Sequence, residues 1–121
     1  MAGPLVVISA ADPVLRDSIL FLLASEKITG IAFPDLETAF ASNHAKAAIC
    51  AIIDDSIIEG DVATFIPQLV HFGKPMVFLT SDIARMPPLP LVVPLTKPFL
   101  GRPLVAMIRA IIVSDSLRSN T

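Results

Sequence analysis

Five polar residues stand directly after apolar runs, where their side chains could act together. Asp12 follows the first run, Asp54 and Asp55 follow the third, Thr80 ends the fourth and Lys97 follows the fifth. A carboxylate, a hydroxyl and an ammonium held close together suit a phosphoryl group, whose oxygens need a cation and a hydroxyl donor. The same groups would also permit acid–base chemistry by Asp54 and Lys97 in a small α/β enzyme.

Other kinds of chemistry lack their motifs. The loop after the first apolar run, residues 9–13, contains no glycine, and neither a G-x-G-x-x-G nor a G-x-x-x-x-G-K-[ST] pattern occurs. His44 and His71 have no serine or cysteine at an informative spacing, so a hydrolase triad is not supported. A nucleotide-binding glycine loop and a triad hydrolase are therefore not predicted.

The five apolar runs predict strands that would hold these polar residues at one edge of a sheet. The strands are expected at residues 5–8, 28–33, 47–53, 76–79 and 91–95. Helical spacing lies between them, with Asp12-Pro13 and Asp35 as predicted helix starts. Alternating strands and helices predict a parallel sheet covered on both faces, with ligands outside the carboxyl ends of the strands.

Proline interrupts this alternation at two places. Pro67 predicts a kink, or a late helix start near Thr64. Residues 86–94 are rich in proline, so any helix between Thr80 and Leu91 should be short or missing. The chain is expected to form one domain over residues 1–121, with a polar tail that frays from about residue 114.

Composition excludes several classes of protein. The 121 residues are 54% hydrophobic and 17% charged, which excludes intrinsic disorder. The longest apolar run is too short to span a membrane, and no secretory signal is evident. Nine basic against eleven acidic residues without a basic cluster argue against nucleic-acid binding. The lone Cys50 cannot form an internal disulfide, and a cytoplasmic location is expected.

Three short motifs carry a family resemblance: AIID at residues 51–54, FLT at 78–80 and TKPF at 96–99. With them, the whole chain resembles a stand-alone receiver domain of two-component response regulators. The resemblance implies a flavodoxin-like, doubly wound sheet of five parallel strands in the order 2-1-3-4-5. It also implies a role in phosphorelay signalling rather than an enzymatic activity.

The resemblance also implies roles for individual residues. Asp54 matches the aspartate that accepts a phosphoryl group, Thr80 the switch hydroxyl and Lys97 the cation that contacts the phosphoryl group. The bond before Pro98 is expected to be cis. Because side chains alternate along a strand, Asp55 is expected to point away from Asp54.

The sequence departs from the family where receivers carry two adjacent acids that hold Mg²⁺. Ala10 and Ala11 occupy those positions, and Asp12 stands one residue further on. Mg²⁺ prefers carboxylate oxygens in octahedral geometry, which methyl groups cannot supply. A metal site is therefore expected to be weak or absent, with Asp12, Asp54 and the backbone carbonyl of Ser56 as its candidate ligands.

Three functions stay open on the sequence. The first is a phosphorylated receiver that works with a histidine kinase or phosphotransfer protein and with a downstream regulator protein. The second is a pseudo-receiver that binds a partner without phosphorylation, favoured by the two alanines. The third is the small enzyme. Neither nucleic acid nor a membrane is an expected partner, and the oligomeric state stays open between monomer and homodimer.

Overall fold

The five apolar runs form five parallel strands in a single sheet. In the computed structural model, which describes residues 3–97 and 101–119, the strands are β1 (Leu5–Ser9), β2 (Thr29–Phe33), β3 (Cys50–Asp54), β4 (Met76–Thr80) and β5 (Val92–Thr96). Their order is β2-β1-β3-β4-β5, and every pair is parallel. The predicted flavodoxin-like architecture is confirmed, and all five carboxyl ends of the strands meet at one edge.

In the described part of the chain, five α-helices connect and cover the strands: α1 (Pro13–Ser25), α2 (Leu36–Ala41), α3 (Asn43–Ala47), α4 (Ile66–Phe72) and α5 (Gly101–Ser119). The predicted starts of α1 and α2 are confirmed. Asp12 caps α1 by accepting the N–H of Val14, and Asp35 caps α2 by accepting the N–H of Thr38. These carboxylates satisfy amide groups that have no partner within the helix.

Pro67 delays its helix, as the sequence predicts. Residues Val62–Phe65 form a 3-10 turn, and α4 begins only at Ile66, which places Pro67 in its first turn. Proline is tolerated there because its missing N–H would have no partner in any case. Gly73 ends α4 in the left-handed conformation, with φ of 66°.

The segment between β4 and β5 contains no α-helix, in agreement with the expectation for the proline-rich stretch. A 3-10 turn at Ile83–Arg85 is its only helical part. Met86 and Leu89 then pack against the apolar cluster that includes Met76 and Phe78 of β4. An irregular apolar segment therefore lies where the alternating pattern would otherwise have placed a helix.

Two apolar layers hold the sheet between its helices. One layer packs α1 and α5 against one face through Ile19, Leu23, Leu104 and Ile108. The other packs α2 and α4 against the opposite face, and its members include Leu36, Ile53, Leu69, Met76 and Phe78. All residues of β3 and β4 are buried, as expected for strands covered on both faces.

Strand β5 forms one edge of the sheet and contains a proline. The carbonyl of Leu91 and the N–H of Lys97 both bond to β4. Backbone groups alternate in direction along a strand, so the nitrogen of Pro94 faces the outer edge. An edge strand tolerates proline at such a position because no ladder hydrogen bond is lost.

Helix α5 continues to Ser119, so the polar tail expected to fray from about residue 114 is helical in the structure. Within residues 114–117, the side chains of Ser114, Ser116 and Leu117 are exposed and that of Asp115 is half-buried. None of the helices within residues 3–97 and 101–119 combines the length and the hydrophobicity that a membrane span requires.

Candidate functional site

Asp54 ends the central strand β3 at the carboxyl edge of the sheet. The residue is 2% exposed, and its Oδ2 accepts a hydrogen bond of 3.1 Å from the backbone N–H of Ser56. Its Oδ1 accepts no hydrogen bond from the described residues, although it lies 2.8 Å from Nζ of Lys97. The contact with the Lys97 ammonium is thus what holds this oxygen in place.

Asp55 lies in the same cluster, and the expectation that it points away from Asp54 was wrong. The strand ends at Asp54, and Asp55 begins a 3-10 turn over Asp55–Ile57. Side chains alternate only while the backbone stays extended, so the turn brings both carboxylates to one cation. Oδ1 of Asp55 lies 2.6 Å from Nζ of Lys97.

Thr80 ends β4 and is completely buried. Its hydroxyl lies 2.8 Å from Oδ2 of Asp55 and 3.0 Å from the carbonyl of Asp82, and it accepts the N–H of Asp82. The structure thus brings Thr80, a predicted site residue, next to Asp55 and Lys97. Its hydrogen-bond partner there is Asp55, while the structure records no hydrogen bond from Thr80 to Asp54.

Lys97 directly follows β5. Its backbone N–H donates a hydrogen bond to the carbonyl of Thr80, which continues the pairing of β5 with β4. Its ammonium bridges Asp54 and Asp55. Partial burial disfavours the charged ammonium, but contacts with the two carboxylates outweigh this effect and raise the pKa of Lys97. The predicted cis bond before Pro98 lies outside the described residues.

The pKa of Asp55 is lowered. Burial opposes its negative charge, but hydrogen bonds from Lys97 and Thr80 and the charges of Lys97 and Arg85 favour the ionised form more strongly. Asp55 is therefore a carboxylate that three neighbouring groups stabilise. It is as much a part of the site as the residues predicted from the sequence.

The end of β1 is organised differently from the rest of the edge. Ala10 is completely buried, and its carbonyl oxygen accepts a 2.7 Å hydrogen bond from Nη1 of Arg16. The same nitrogen lies 3.1 Å from the carbonyl of Ala11. Asp12 is exposed, and its Oδ1 is engaged in capping α1 through Val14. The guanidinium of Arg16 thus contacts the backbone carbonyls that follow β1 at the carboxyl edge of the sheet.

The fold resemblance implies Mg²⁺ at this edge, but the donor set does not fit such an ion. The carboxylates of Asp54 and Asp55 are both paired with Lys97, and the carbonyls of Ala10 and Ala11 are engaged by a cation. Across residues 3–97 and 101–119, no group of three or more His, Cys, Asp or Glu is arranged to hold a metal ion. Mg²⁺ needs several oxygen ligands free to face it.

The structure groups the predicted residues Asp54, Thr80 and Lys97, and it adds Asp55, whose side chain was expected to point away. The contact of Arg16 with the end of β1 was not predicted. The sequence did contain a signal for the position of Asp55. An aspartate often forms a turn by accepting the backbone N–H two residues further on, and Asp54 accepts the N–H of Ser56 in this way. A turn at this point cancels the alternation. Arg16 carries no comparable signal, since its long side chain reaches back along α1 only in the folded structure.

Comparison with known proteins gives a relative that matches nearly the whole chain. The transcriptional regulator protein FixT of Rhizobium meliloti (strain 1021) is 29% identical over 112 residues, which cover 93% of this chain and 96% of the relative. No family model matches the sequence.

Solved structures with the same fold are numerous. The signal receiver domain of an HD domain-containing protein from Pseudomonas fluorescens Pf-5 has a TM-score of 0.78 at 16% identity, and covers all of this chain and 96% of its own. A response regulator receiver modulated diguanylate cyclase from Pelobacter carbinolicus has a TM-score of 0.77 at 18% identity, over 98% of this chain and 100% of its own. At these identities the likeness establishes the fold.

Proposed function

We propose that this chain, whose fold is that of a response regulator receiver domain, accepts a phosphoryl group on Asp54 and signals through contacts with other proteins. The phosphoryl donor would be a phosphohistidine of a histidine kinase or phosphotransfer protein. The output would be contact with a downstream regulator protein.

The contact between Lys97 and Asp54 carries the proposal. An ammonium 2.8 Å from a buried carboxylate oxygen balances its charge and would balance the added charge of an incoming phosphoryl group. The hydroxyl of Thr80 belongs to the same cluster through Asp55. Nucleophile, cation and hydroxyl thus lie at one edge of the sheet, where parallel α/β folds bind ligands.

The transfer step balances without a further reactant. A carboxylate oxygen of Asp54 attacks the phosphorus of the phosphohistidine, forming an O–P bond as the P–N bond breaks. The imidazole nitrogen leaves with the electron pair of that bond, and Asp54 becomes an acyl phosphate. Because the donor set does not fit Mg²⁺, we propose that Lys97 is the main cation for this step and that the metal contributes weakly.

A second candidate function is that of a pseudo-receiver, which binds its partner without phosphate chemistry. The end of β1 favours it, because Ala10 and Ala11 offer no carboxylate and Arg16 engages both of their carbonyls. In that case the described cluster of Asp54, Asp55 and Lys97 would serve the stability of the domain.

Incubation with acetyl phosphate, followed by intact-mass measurement, tests the two functions. The wild type should gain the mass of one phosphoryl group, and Asp54→Asn should gain none. Asp17→Asn, which removes an exposed carboxylate on α1, is the matched control and should react like the wild type. If the wild type gains no phosphoryl group with or without Mg²⁺, the pseudo-receiver is the correct function.

A further inference from the structure

The carboxylate of Asp55 is bound to the Thr80 hydroxyl and the Lys97 ammonium, the two donors that a phosphoryl group on Asp54 would need. Its Oδ2 accepts a hydrogen bond of 2.8 Å from the hydroxyl of Thr80, and its Oδ1 lies 2.6 Å from Nζ of Lys97. One anion with two oxygens therefore joins the hydroxyl and the ammonium. A phosphoryl group is also an anion that uses separate oxygens for separate donors.

Thr80 has one hydroxyl hydrogen and two acceptors within reach, the carboxylate of Asp55 and the carbonyl of Asp82 at 3.0 Å. A hydrogen bond to a charged acceptor is roughly twice as strong as one between neutral groups. The hydroxyl oxygen in turn accepts the N–H of Asp82. These contacts fix the Thr80 side chain toward Asp55 in a completely buried position.

We infer that Asp55 is a positioning residue that acts as a built-in ligand of Thr80 and Lys97, holding them in the arrangement that a bound oxyanion would otherwise impose. The inference rests on the proposed function for the identity of that oxyanion, a phosphoryl group on Asp54. An incoming phosphoryl group must displace Asp55 from both donors. The Thr80 hydroxyl therefore already lies in the site before phosphorylation, and the group that must move is Asp55.

A purely structural ion pair would behave differently when Asp55 is replaced. If Lys97 and Thr80 did not bind oxyanions, loss of the pair would lower stability and leave the affinity for small oxyanions unchanged. Loss of a built-in ligand frees one hydroxyl and reduces the negative charge around Lys97, so oxyanion affinity rises. Oxyanion binding is thus the measurement that separates the two roles.

Inorganic phosphate is the probe, titrated into ¹⁵N-labelled protein while the backbone amides of Thr80 and Lys97 are followed by NMR. We expect Asp55→Ala to bind phosphate about tenfold more tightly than the wild type, or more. Asp55→Asn should be intermediate, because its amide oxygen still accepts from Thr80 without carrying a charge. Asp82→Asn is the control: it removes an exposed carboxylate nearby and keeps an oxygen to cap Ala84.

Equal phosphate affinity in the wild type and both Asp55 variants would overturn the inference, as would an equal gain in Asp82→Asn. If Asp55→Ala does not fold, the phosphate affinity of Asp55→Asn relative to the wild type decides whether the inference holds. The double variant Asp54→Asn/Asp55→Ala separates this inference from the proposed function. It cannot be phosphorylated on residue 54, but it should still bind phosphate more tightly than Asp54→Asn does. A phosphoryl group that peptide mapping located on Asp55 itself would also overturn the inference.

Discussion

The guanidinium of Arg16 donates a 2.7 Å hydrogen bond to the carbonyl oxygen of Ala10, the residue that the resemblance matches to an acid of receiver domains. Arg16 lies on the second turn of α1, so the helix supplies a cation to the end of β1. A positive charge here would repel a divalent ion, and the buried methyl group of Ala10 offers it no oxygen.

The first prediction concerns a variant with carboxylates at positions 10 and 11. Ala10→Glu/Ala11→Asp should bind Mg²⁺ at least about tenfold more tightly than the wild type, because carboxylate ligands return beside Asp54. Isothermal titration calorimetry measures the affinity. Ala10 is completely buried, so the double variant should also be less stable when no metal is present.

The single variant Ala11→Asp, at an exposed position, guards against misfolding of the double variant. Ala24→Asp adds an acid to the far end of α1 and should leave Mg²⁺ affinity unchanged. Sub-millimolar Mg²⁺ binding by the wild type would contradict the assignment of Ala10 and Ala11 to the acid positions.

The second prediction follows from the lowered pKa of Asp55. The ordinary value is 3.8, so the unfolded chain takes up the proton before the folded chain does as the pH falls. Asp55 thus contributes stability that is present above pH 3.8 and is lost as the pH falls through the folded pKa below it. The free energy of unfolding of the wild type, relative to Asp55→Asn, should fall over this acidic range.

Urea unfolding of both proteins between neutral pH and the acidic range measures this difference. Asp17→Asn should follow the wild type throughout. A difference between wild type and Asp55→Asn that stays constant on acidification would contradict the lowered pKa.

The third prediction concerns Lys74, whose ammonium caps the end of α3. Its Nζ lies 3.0 Å from the carbonyl of Ala45, 2.7 Å from that of Lys46 and 2.6 Å from that of Ala48. Lys74→Met leaves these carbonyls without the ammonium and should lower the free energy of unfolding by about 1–3 kcal/mol. Lys46→Met removes an exposed lysine from the same helix and should have a much smaller effect. Equal losses in the two variants would refute the capping role.

The fourth prediction concerns Cys50, which is completely buried in β3. Burial, together with the charge of Asp115, raises the pKa of its thiol to about 12. Because the thiolate is the reactive form, iodoacetamide should alkylate the native protein at least about a hundredfold more slowly than the chain in urea. Intact mass reports the reaction directly, since the sequence contains one cysteine. Similar rates in both states would show that β3 opens readily.

Most of the fold could be predicted because its signals are local. Continuous apolar runs marked the strands, and Asp12-Pro13 marked the start of α1. The strand order, in contrast, came from resemblance, since periodicity does not specify which strands are neighbours. Boundaries shifted where a turn competed with a strand: residues 47–49 were predicted as strand, but α3 includes Ala47 and β3 begins at Cys50.

The site was only partly predictable, for a related reason. Asp54, Thr80 and Lys97 were found because each follows an apolar run. Asp55 was assigned to the wrong side because the alternation rule was extended one residue beyond the strand, into the turn. Arg16 and Lys74 act by reaching backbone carbonyls with long side chains, and no spacing in the sequence encodes such contacts.

Pro94 at the outer edge of β5 has a consequence for the chain at high concentration. A second molecule aligned along this edge would meet a position without an N–H in the middle of a five-residue strand. The intermolecular ladder would be broken there, so growth of stacked sheets into fibrils cannot propagate evenly from this side. Pro94 thus makes β5 a poorer template for pairing with a second chain than an edge strand without proline.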